Sequence, residues 1–323
     1  MSMKSVLEAF QKYEKFLICT HINPDPDALA SQVALGIYLE QKGKTVFLIS
    51  EETVPERFLF LPGMKKIKAL GTKRRLDYDA VIVTDCGDLD RIGAVKCLLK
   101  EGLPIINIDH HITNTRFGDM NYIVTDSSST CEVIFWLLKK AKAELTFELA
   151  QLLYVGVVTD TGSFRYTNTS GKTHRMASML MEEHLIEANT LYQRIYEQVP
   201  LNDLKYFTLL VSDFESLYDG KLICVKLPRN IVKKFSEQFD LRDKIFGYLR
   251  TIQGVEVLAI FTEEKPNITR VNMRSQGDVD VARIAARFQG GGHSKASGCL
   301  VAGNMKEAHR KVLPQIKKAL KAL

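Results

Sequence analysis

Short apolar runs alternate with longer helical patterns over the first third of the chain. The runs are rich in Val, Ile and Phe and are typical of buried strands: 16–20, 45–49, 80–84, 104–108 and 122–124. Segment 28–42 places Leu29, Val33 and Ile37 at near-helical spacing, and segment 91–100 is a second helix candidate. This alternation predicts an α/β domain whose parallel sheet is covered by helices on both faces.

The pattern becomes mostly helical after residue 128 and changes again near residue 220. Helical patterns cover 129–141, 146–158, 172–186, 190–198 and 201–214. Beyond them, 221–227, 255–261 and 268–274 are typical of strands, whereas 281–288 and 305–320 are typical of helices. Since a chain of 323 residues suggests two domains at roughly 100–200 residues each, we divide it into a first domain, a helical linker and a smaller α+β domain: 1–187, 188–205 and 206–323.

Composition excludes several classes of protein. Hydrophobic residues make up 46% and charged residues 25% of the chain, as in globular proteins. No apolar stretch is long enough to span a membrane, and the first residues lack the apolar segment of a signal peptide. The six cysteines lie far apart without a C-x-x-C pair. We therefore expect reduced thiols, a cytoplasmic location and no membrane partner.

The charge is distributed unevenly along the chain. Residues 1–190 carry 22 Lys+Arg and 24 Asp+Glu, a net charge of −2, whereas residues 191–323 carry 22 and 14, a net charge of +8. A basic second half indicates an anionic partner. A solvated basic surface without a partner is an equally simple interpretation, and charge alone leaves both open.

Acids and histidines follow the predicted strands at the points where these strands end. His21, Asp25 and Asp27 follow the first strand, Asp85 follows the strand at 80–84, and Asp109-His110-His111 follow the strand at 104–108. The carboxyl ends of parallel strands meet at one edge, where open α/β sheets bind ligands.

Each of these clusters alone could be a capped turn, Asp27 in particular. Together they would repel one another unless a cation neutralised them, and Asp160 adds a further carboxylate. Imidazole and carboxylate without thiolate suit Mn²⁺, Fe²⁺, Co²⁺ or Zn²⁺, and the ligands suffice for two ions if one carboxylate is shared.

A glycine-rich segment stands out in the second half of the chain. Gly290, Gly291, Gly292 and His293 form the start of a GGGH-x-x-A-x-G sequence. Consecutive glycines allow the backbone to approach a ligand, and their amides form a nest for an anion. The preceding strand supplies further candidate phosphate ligands, which are Arg270, Arg274 and Ser275. A flexible loop with incidental charges is the alternative interpretation.

These motifs, in this order, resemble the DHH/DHHA1 phosphoesterase family, and within it the nanoRNase branch of bifunctional oligoribonucleases and pAp phosphatases. The resemblance covers almost the whole chain. It implies a catalytic DHH domain built on a parallel sheet, a smaller DHHA1 domain that binds substrate, and an active-site cleft between them. It also implies two divalent metal ions, for which Mn²⁺ is the usual ion in the family.

The resemblance also implies roles for individual residues. A first metal ion would be held by His21, Asp25 and Asp85. A second ion would be held by Asp27, Asp85, His110 and Asp160, with Asp85 bridging the two. His111 would face the scissile phosphate, and Asp109 would orient the histidines. The terminal phosphate would be held by the glycine segment with His293, Arg270, Arg274 and Ser275, and Arg165 would face the cleft.

This chain departs from the usual family pattern at two places in the first motif. Pro26 stands where family members commonly have glycine, and Leu29-Ala30 stands where Ile-Gly is common. Proline fixes φ and removes a backbone donor. Because all the ligand residues are present, we expect an altered loop geometry rather than a lost site.

The resemblance predicts a metal-dependent hydrolase that degrades RNA or DNA oligonucleotides of a few nucleotides to mononucleotides and also dephosphorylates pAp. Alternatives are a phosphodiesterase for linear or cyclic dinucleotides, such as pApA or c-di-AMP, and a non-catalytic nucleotide-binding protein. A processive RecJ-like exonuclease is disfavoured because additional strand-gripping domains are absent, and a family II pyrophosphatase is disfavoured by the GGGH segment. The predicted helix at 201–214 leaves a homodimer open.

Overall fold

The computed structural model describes residues 2–71, 76–184, 186–236 and 239–322. The chain divides into two units, 1–197 and 198–323. The division falls within 188–205, the segment that we interpreted as a linker. Each unit has its own sheet and its own hydrophobic core.

A parallel sheet of six strands forms the centre of the first unit. In chain order the strands are β1 (Lys15–Cys19), β2 (Thr45–Ser50), β3 (Lys68–Ala69), β4 (Ala80–Thr84), β5 (Ile105–Asp109) and β6 (Met120–Ile123). They lie in the order β3-β2-β1-β4-β5-β6, and every neighbouring pair is parallel. The predicted α/β fold class is therefore confirmed. The short β3 was missed because two residues give no periodic pattern.

Most helices of the first unit begin at a side chain that caps them, and the helix Ala188–Tyr196 is the exception among those described. They are α1 (Met3–Lys12), α2 (Pro26–Gln41), α3 (Thr130–Lys140), α4 (Phe147–Asp160), α5 (Gly171–His184) and α6 (Ala188–Tyr196). Asp25, Ser129 and Thr146 each accept a hydrogen bond from a backbone N–H in the first turn of α2, α3 and α4. Such caps satisfy donors that a helix leaves unpaired at its start.

The two faces of the first sheet are covered differently. Alternate residues of the central strands, such as Ile18 and Ile82, belong to a core with α2, α3 and α4. On the other face Leu17 and Val83 pack in a second core with residues of the segment Leu89–Leu98. The predicted α-helix at 91–100 is wrong in its type, because Leu89–Leu98 is a 3₁₀ segment with a kink.

Gly93 explains why this segment is not a regular α-helix. Its φ of +60° and ψ of −138° lie outside helical values, and a Cβ atom there would collide with the Glu51 carboxylate. Glu51 also accepts a hydrogen bond of 2.6 Å from the backbone N–H of Ala94. Glycine is therefore required for the conformation and for the close approach.

The second unit is a mixed sheet with helices, as the α+β pattern predicts. Its strands are β7 (Glu215–Leu217), β8 (Leu222–Leu227), β9 (Val257–Lys265), β10 (Ile268–Ser275), β11 (Gly291–His293) and β12 (Ala296–Ala302). They lie in the order β11-β12-β10-β9-β8-β7, and β8 and β9 are the parallel pair in an otherwise antiparallel sheet. Its helices are α7 (Leu201–Ser212), α8 (Arg229–Val232), α9 (Leu241–Leu249), α10 (Val281–Ala286) and α11 (Met305–Leu320).

Each face of the second sheet packs against its own helices. One core joins β9 and β10 to α10 and α11, and the other joins β8 and β9 to α7 and α9. Leu300 of β12 remains 52% exposed. Across the described residues, no helix combines the length and apolar character that a membrane span requires.

Gly156 allows α2, α3 and α4 to approach one another closely in the first unit. A Cβ atom at this position would collide with the Cys131 side chain and lie 2.5 Å from Oδ1 of Asp27. Both neighbours are completely or almost completely buried, so neither can move away easily.

We predict that Gly156→Ala lowers the free energy of unfolding by about 1–3 kcal/mol, the usual cost of overpacking. Urea denaturation followed by circular dichroism measures this change. Gly247→Ala in α9 is the matched control, because its Cβ atom would meet nothing within 4 Å. The control should be neutral or stabilising by up to about 1 kcal/mol. Equal stability of Gly156→Ala and wild type would contradict the packing described here.

Candidate active site

Three adjacent strands bring the predicted site residues to one edge of the first sheet. Strands β1, β4 and β5 are neighbours, and each is followed by acids or histidines at its carboxyl end. Potential ligand atoms lie within 4.8 Å of one another in three overlapping groups, which are His21/Asp25/Asp85, Asp85/His110/His111 and Asp27/His110/Asp160. The structure therefore brings together all the residues that the resemblance implied as metal ligands.

Asp85 occupies the centre of these groups. Its Oδ2 atom lies 3.7 Å from Nε2 of His21, and its Oδ1 atom lies 3.6 Å from Nε2 of His110. Asp85 also has a left-handed backbone with φ of 52°, which turns the chain directly after β4. Aspartate tolerates this conformation better than most residues, and such backbone strain is common at functional sites.

The histidine rings are oriented by backbone carbonyl groups. Nδ1 of His21 lies 2.8 Å from the Ile22 carbonyl oxygen, and Nδ1 of His110 lies 3.3 Å from that of Ser127. Because a carbonyl oxygen only accepts, we infer that each Nδ1 carries the hydrogen. In the neutral ring the lone pair then lies on Nε2, the atom that faces Asp85, as a metal-binding histidine requires.

Burial and mutual repulsion raise the pKa values of three carboxylates in the cluster. Burial and the charge of Asp85 raise the pKa of Asp27 to about 7. Burial and the charge of Asp27 raise the pKa of Asp160 well above its usual range, and burial and Asp85 also raise that of Asp25. A divalent cation would relieve this repulsion, so the donor set fits a metal ion.

The pKa values of Asp85 and His110 shift in the direction that favours the charged form, because each side chain faces partners of opposite charge. Burial opposes ionisation of Asp85, but the hydrogen bond from His21 and the charges of His110 and His111 hold its pKa below the usual range. Burial also disfavours the charged form of His110, yet Asp160 and Asp85 raise its pKa to about 9. In the absence of metal, these histidines therefore act as the counter-charges of the cluster.

His111 is held by a separate chain of hydrogen bonds. Its Nδ1 atom lies 2.7 Å from Oδ1 of the buried Asp109. Asn114 donates to Oδ2 of Asp109 at 2.6 Å and to Oδ1 of Asn107 at 2.8 Å. Asp109 contacts His111 and the backbone N–H of His110 rather than belonging to the three ligand groups. This geometry suits an orienting residue.

Several residues of the site were not predicted from the sequence. Thr130 and Cys131, at the start of α3, donate hydrogen bonds to Asp85 and Asp27. Asn168 donates to the carbonyl oxygens of Asp160 and Ser128. The helical pattern over 129–141 predicted a helix here, and α3 confirms it. Nothing in the local sequence indicated that this helix start contacts residues of β4 and α2.

Pro26 occupies a helix position that is compatible with proline. It is the first residue of α2, directly after the capping Asp25. A proline is well suited to this position because the first N–H groups of a helix have no partner within the helix. The departure from the family's glycine is therefore accommodated by the helix start, and Asp25 and Asp27 keep their places in the cluster.

Arg165 lies in a tight turn that follows Asp160. Gly162, Ser163 and Phe164 all have positive φ, and the Nε atom of Arg165 donates to the Gly162 carbonyl oxygen at 2.7 Å. Phe164 stacks on His174 with ring centroids 5.2 Å apart. Phe164 therefore has a packing role within the first unit, and Arg165 is exposed at the surface.

The glycine segment of the second unit is a strand rather than a loop. Gly291–His293 forms β11 and pairs with β12. A Cβ atom at Gly290 or Gly292 would collide with backbone atoms of β12, whereas one at Gly291 would meet nothing within 4 Å. The predicted loop is wrong because the two outer glycines are required for close strand packing. Gly291 alone keeps an open approach to its backbone.

The candidate phosphate ligands on β10 lie on two different faces. Arg270 and Arg274 lie on the more exposed face of β10, and Ser275 lies on the buried face. The Ser275 hydroxyl donates to the Gly277 carbonyl oxygen. Ser275 is therefore not brought together with the two arginines. Nε of Arg270 lies 2.9 Å from Glu264, and the Arg274 guanidinium lies 4.9 Å from the centre of the Phe246 ring.

Comparison with known proteins adds relatives that match nearly the whole chain. Residues 15–157 match the model of the DHH family N-terminal domain, and residues 231–322 match that of the DHHA1 domain. The bifunctional oligoribonuclease and PAP phosphatase NrnA of Thermus thermophilus is 30% identical over 98% of this chain and 94% of its own. The probable protein of the same name from Streptococcus mutans is 31% identical over 92% of this chain and 93% of its own.

A solved structure resembles the whole architecture. The crystal structure of an exopolyphosphatase-related protein from Bacteroides fragilis superposes with a TM-score of 0.89 at 25% identity. The match covers 99% of this chain and 95% of that one.

The crowding of carboxylates generates a prediction about stability. Asp160→Asn removes one negative charge from the cluster, so we expect the metal-free protein to melt at the same temperature as wild type or higher. The same change removes an oxygen ligand of the third group, so stabilisation by Mn²⁺ should fall. For wild type, stabilisation of about 2.7 kcal/mol is expected at a metal concentration of 100 times Kd.

Thermal melts in EDTA and in Mn²⁺ measure both effects of Asp160→Asn. Asp126→Asn is the control, because Asp126 lies outside the three ligand groups, and it should keep the full response to Mn²⁺. A normal Mn²⁺ response of Asp160→Asn would contradict its role as a ligand.

Proposed function

The chain belongs to the DHH/DHHA1 phosphoesterase family, and from this membership we propose that it hydrolyses short oligonucleotides to mononucleotides and also dephosphorylates pAp. The observation that carries the proposal is the set of three Asp/His groups, in which Asp85 belongs to two groups and His110 belongs to two. Relatives named for oligoribonuclease and PAP phosphatase activity, matched over nearly full length, support the choice of substrates. RNA or DNA oligonucleotides, dinucleotides and pAp share the phosphate esters that such a site would bind.

We assign two divalent ions, Mn²⁺ in the first instance, to this edge of the sheet. His21, Asp25 and Asp85 would hold one ion, and Asp27, Asp85, His110 and Asp160 would hold the other, with Asp85 shared. When bound, the ions would activate water for attack and neutralise the charge on the phosphate. The oriented Nε2 atoms and the unrelieved repulsion among the carboxylates support this assignment.

His111 is the group that we assign to the scissile phosphate. Although burial lowers its pKa, the hydrogen bond to Asp109 and the charges of Asp85 and Asp109 raise it above the usual range. A protonated imidazole beside the phosphate would stabilise the negative charge that develops on its oxygens. Asp109 and Asn114 keep the ring in place, so this stabilisation needs no reorganisation during the reaction.

The second unit supplies the groups that we assign to the substrate's terminal phosphate. Its net charge of +8 over 191–323, the open backbone at Gly291 and the guanidinium groups of Arg270 and Arg274 suit an anion. We accordingly assign catalysis to 1–187 and substrate binding to 206–323, joined by 188–205.

The proposed function is tested by measuring the rate of hydrolysis of substrates of different lengths. With Mn²⁺, we expect mononucleotide release from substrates of a few nucleotides, phosphate release from pAp and much slower release from long single strands. Asp85→Asn should reduce turnover at least about 100-fold, since even outer partners of metal ligands contribute 10–100-fold. Asp126→Asn serves as the control. Failure to release mononucleotides at any length would contradict the proposal.

Gly291→Ala separates substrate binding from folding. Because a Cβ atom there meets no neighbour, the variant should unfold like wild type. If a phosphate approaches the backbone closely at this position, the added Cβ atom would obstruct it and lengthen its hydrogen bond to the N–H, which should raise KM by about tenfold or more with little change in kcat.

Gly292→Ala is the comparison for folding, because its φ of +131° and close contact with β12 predict a loss of stability instead. The effect of Gly291→Ala on KM should be largest for substrates that carry a terminal phosphate. An unchanged KM for these substrates would refute the assigned role of the segment.

A further inference from the structure

The segment 127–130, which leads into the first residue of α3, contacts residues from all three groups of potential ligands. The Ser127 carbonyl oxygen lies 3.3 Å from Nδ1 of His110. Thr130 contacts Asp85 and Asp27, and the Ser128 carbonyl oxygen shares the amide of Asn168 with that of Asp160. Three of the four residues 127–130, namely Ser127, Ser128 and Thr130, thus connect to proposed ligands that lie far apart in the chain.

Thr130 makes the most direct of these contacts. Its hydroxyl donates to Oδ1 of Asp85 at 2.8 Å, and its backbone N–H donates to Oδ2 of Asp27 at 2.8 Å. The next N–H, that of Cys131, donates to Oδ1 of Asp27 at 3.0 Å. Thr130 is fully buried, so water does not replace these donors readily.

The hydroxyl determines which way Asp85 faces. An ionised carboxylate only accepts, so the hydroxyl hydrogen must point to Oδ1, and a bond to a charged acceptor is stronger than a neutral one. With Oδ1 held in this way, it faces His110, and Oδ2 faces His21. Rotation of the carboxylate about its Cβ–Cγ bond would break the hydrogen bond to Thr130 and both of these approaches.

Glu132 holds the segment 127–130 in place through hydrogen bonds to Ser128. This buried carboxylate accepts hydrogen bonds at its Oε2 atom from the backbone N–H and the hydroxyl of Ser128, at 2.9 and 2.6 Å. The hydroxyl of Thr173 donates to the same oxygen at 3.1 Å. Thr130 therefore projects from a backbone that is fixed at several points, which is what a positioning group needs.

We propose that Thr130 is a positioning residue that couples the two halves of the metal centre, holding Asp85 through its hydroxyl and Asp27 through its backbone. This inference rests on the proposed function, because it requires Asp85 and Asp27 to be metal ligands. Removal of the hydroxyl deletes one of the contacts that orient Asp85, whereas the backbone contact to Asp27 remains. The loss should therefore appear in metal affinity and in turnover.

The test compares variants at Thr130 by Mn²⁺ titration of the full chain, followed by electron paramagnetic resonance of the free ion. Thr130→Val and Thr130→Ala lack the hydroxyl and should bind Mn²⁺ about 10–100-fold more weakly, as the loss of an outer partner of a metal ligand does. Thr130→Ser keeps the hydroxyl and should restore affinity to within a few-fold of wild type. Turnover of a short oligonucleotide at saturating Mn²⁺ provides the second readout.

Thr269→Val is the matched control for the loss of a buried hydroxyl. Thr269 is equally buried, and its hydroxyl donates to the Gly303 carbonyl oxygen in the second unit. It should lower stability without changing Mn²⁺ affinity. If Thr130→Val folds poorly, the comparison of Thr130→Ala with Thr130→Ser carries the test.

Two results would overturn the inference in distinguishable ways. Wild-type Mn²⁺ affinity in Thr130→Val and Thr130→Ala would refute the role of Thr130 and leave the proposed function intact. Absence of Mn²⁺ binding by the wild-type protein would refute the metal centre and, with it, the coupling through Thr130.

Discussion

Repulsion among buried carboxylates at the carboxyl edge of the first sheet is the constraint on which the rest of the site depends. Asp25, Asp27, Asp85 and Asp160 are held close together although burial and their mutual charge disfavour ionisation of three of them. Protonated histidines compensate part of this charge in the absence of metal. A divalent cation would relieve this repulsion, which supports the proposed metal centre.

The fold keeps these groups in place by directing backbone donors at them. The start of α3 donates two N–H groups to Asp27, the start of α2 donates one to Asp25, and carbonyl oxygens orient His21 and His110. Gly156 lets the helices that carry these donors approach closely enough. Stability and function are therefore coupled at this edge, because the packing that buries the helices also places the ligands.

The sequence allowed prediction of the acids and histidines that gather at this edge, but not of the groups that orient them. His21, Asp85 and the Asp109-His110-His111 run each follow a recognisable strand, and parallel topology brings such ends together. Thr130 contacts Asp85 and Asp27 across 45 and 103 residues of chain, a separation at which local patterns carry no information. The Gly290–Gly292 run was misjudged for a related reason: a glycine pattern does not distinguish an approach to a ligand from close contact with a neighbouring strand.

The central claim is that the edge of the first sheet holds two metal ions that share Asp85. Anomalous diffraction at the manganese absorption edge, from crystals grown with Mn²⁺, tests this claim most directly. The account predicts two anomalous peaks on either side of the Asp85 carboxylate, one beside His21 and one beside His110. A single peak that does not contact Asp85, or peaks found only elsewhere on the protein, would contradict it.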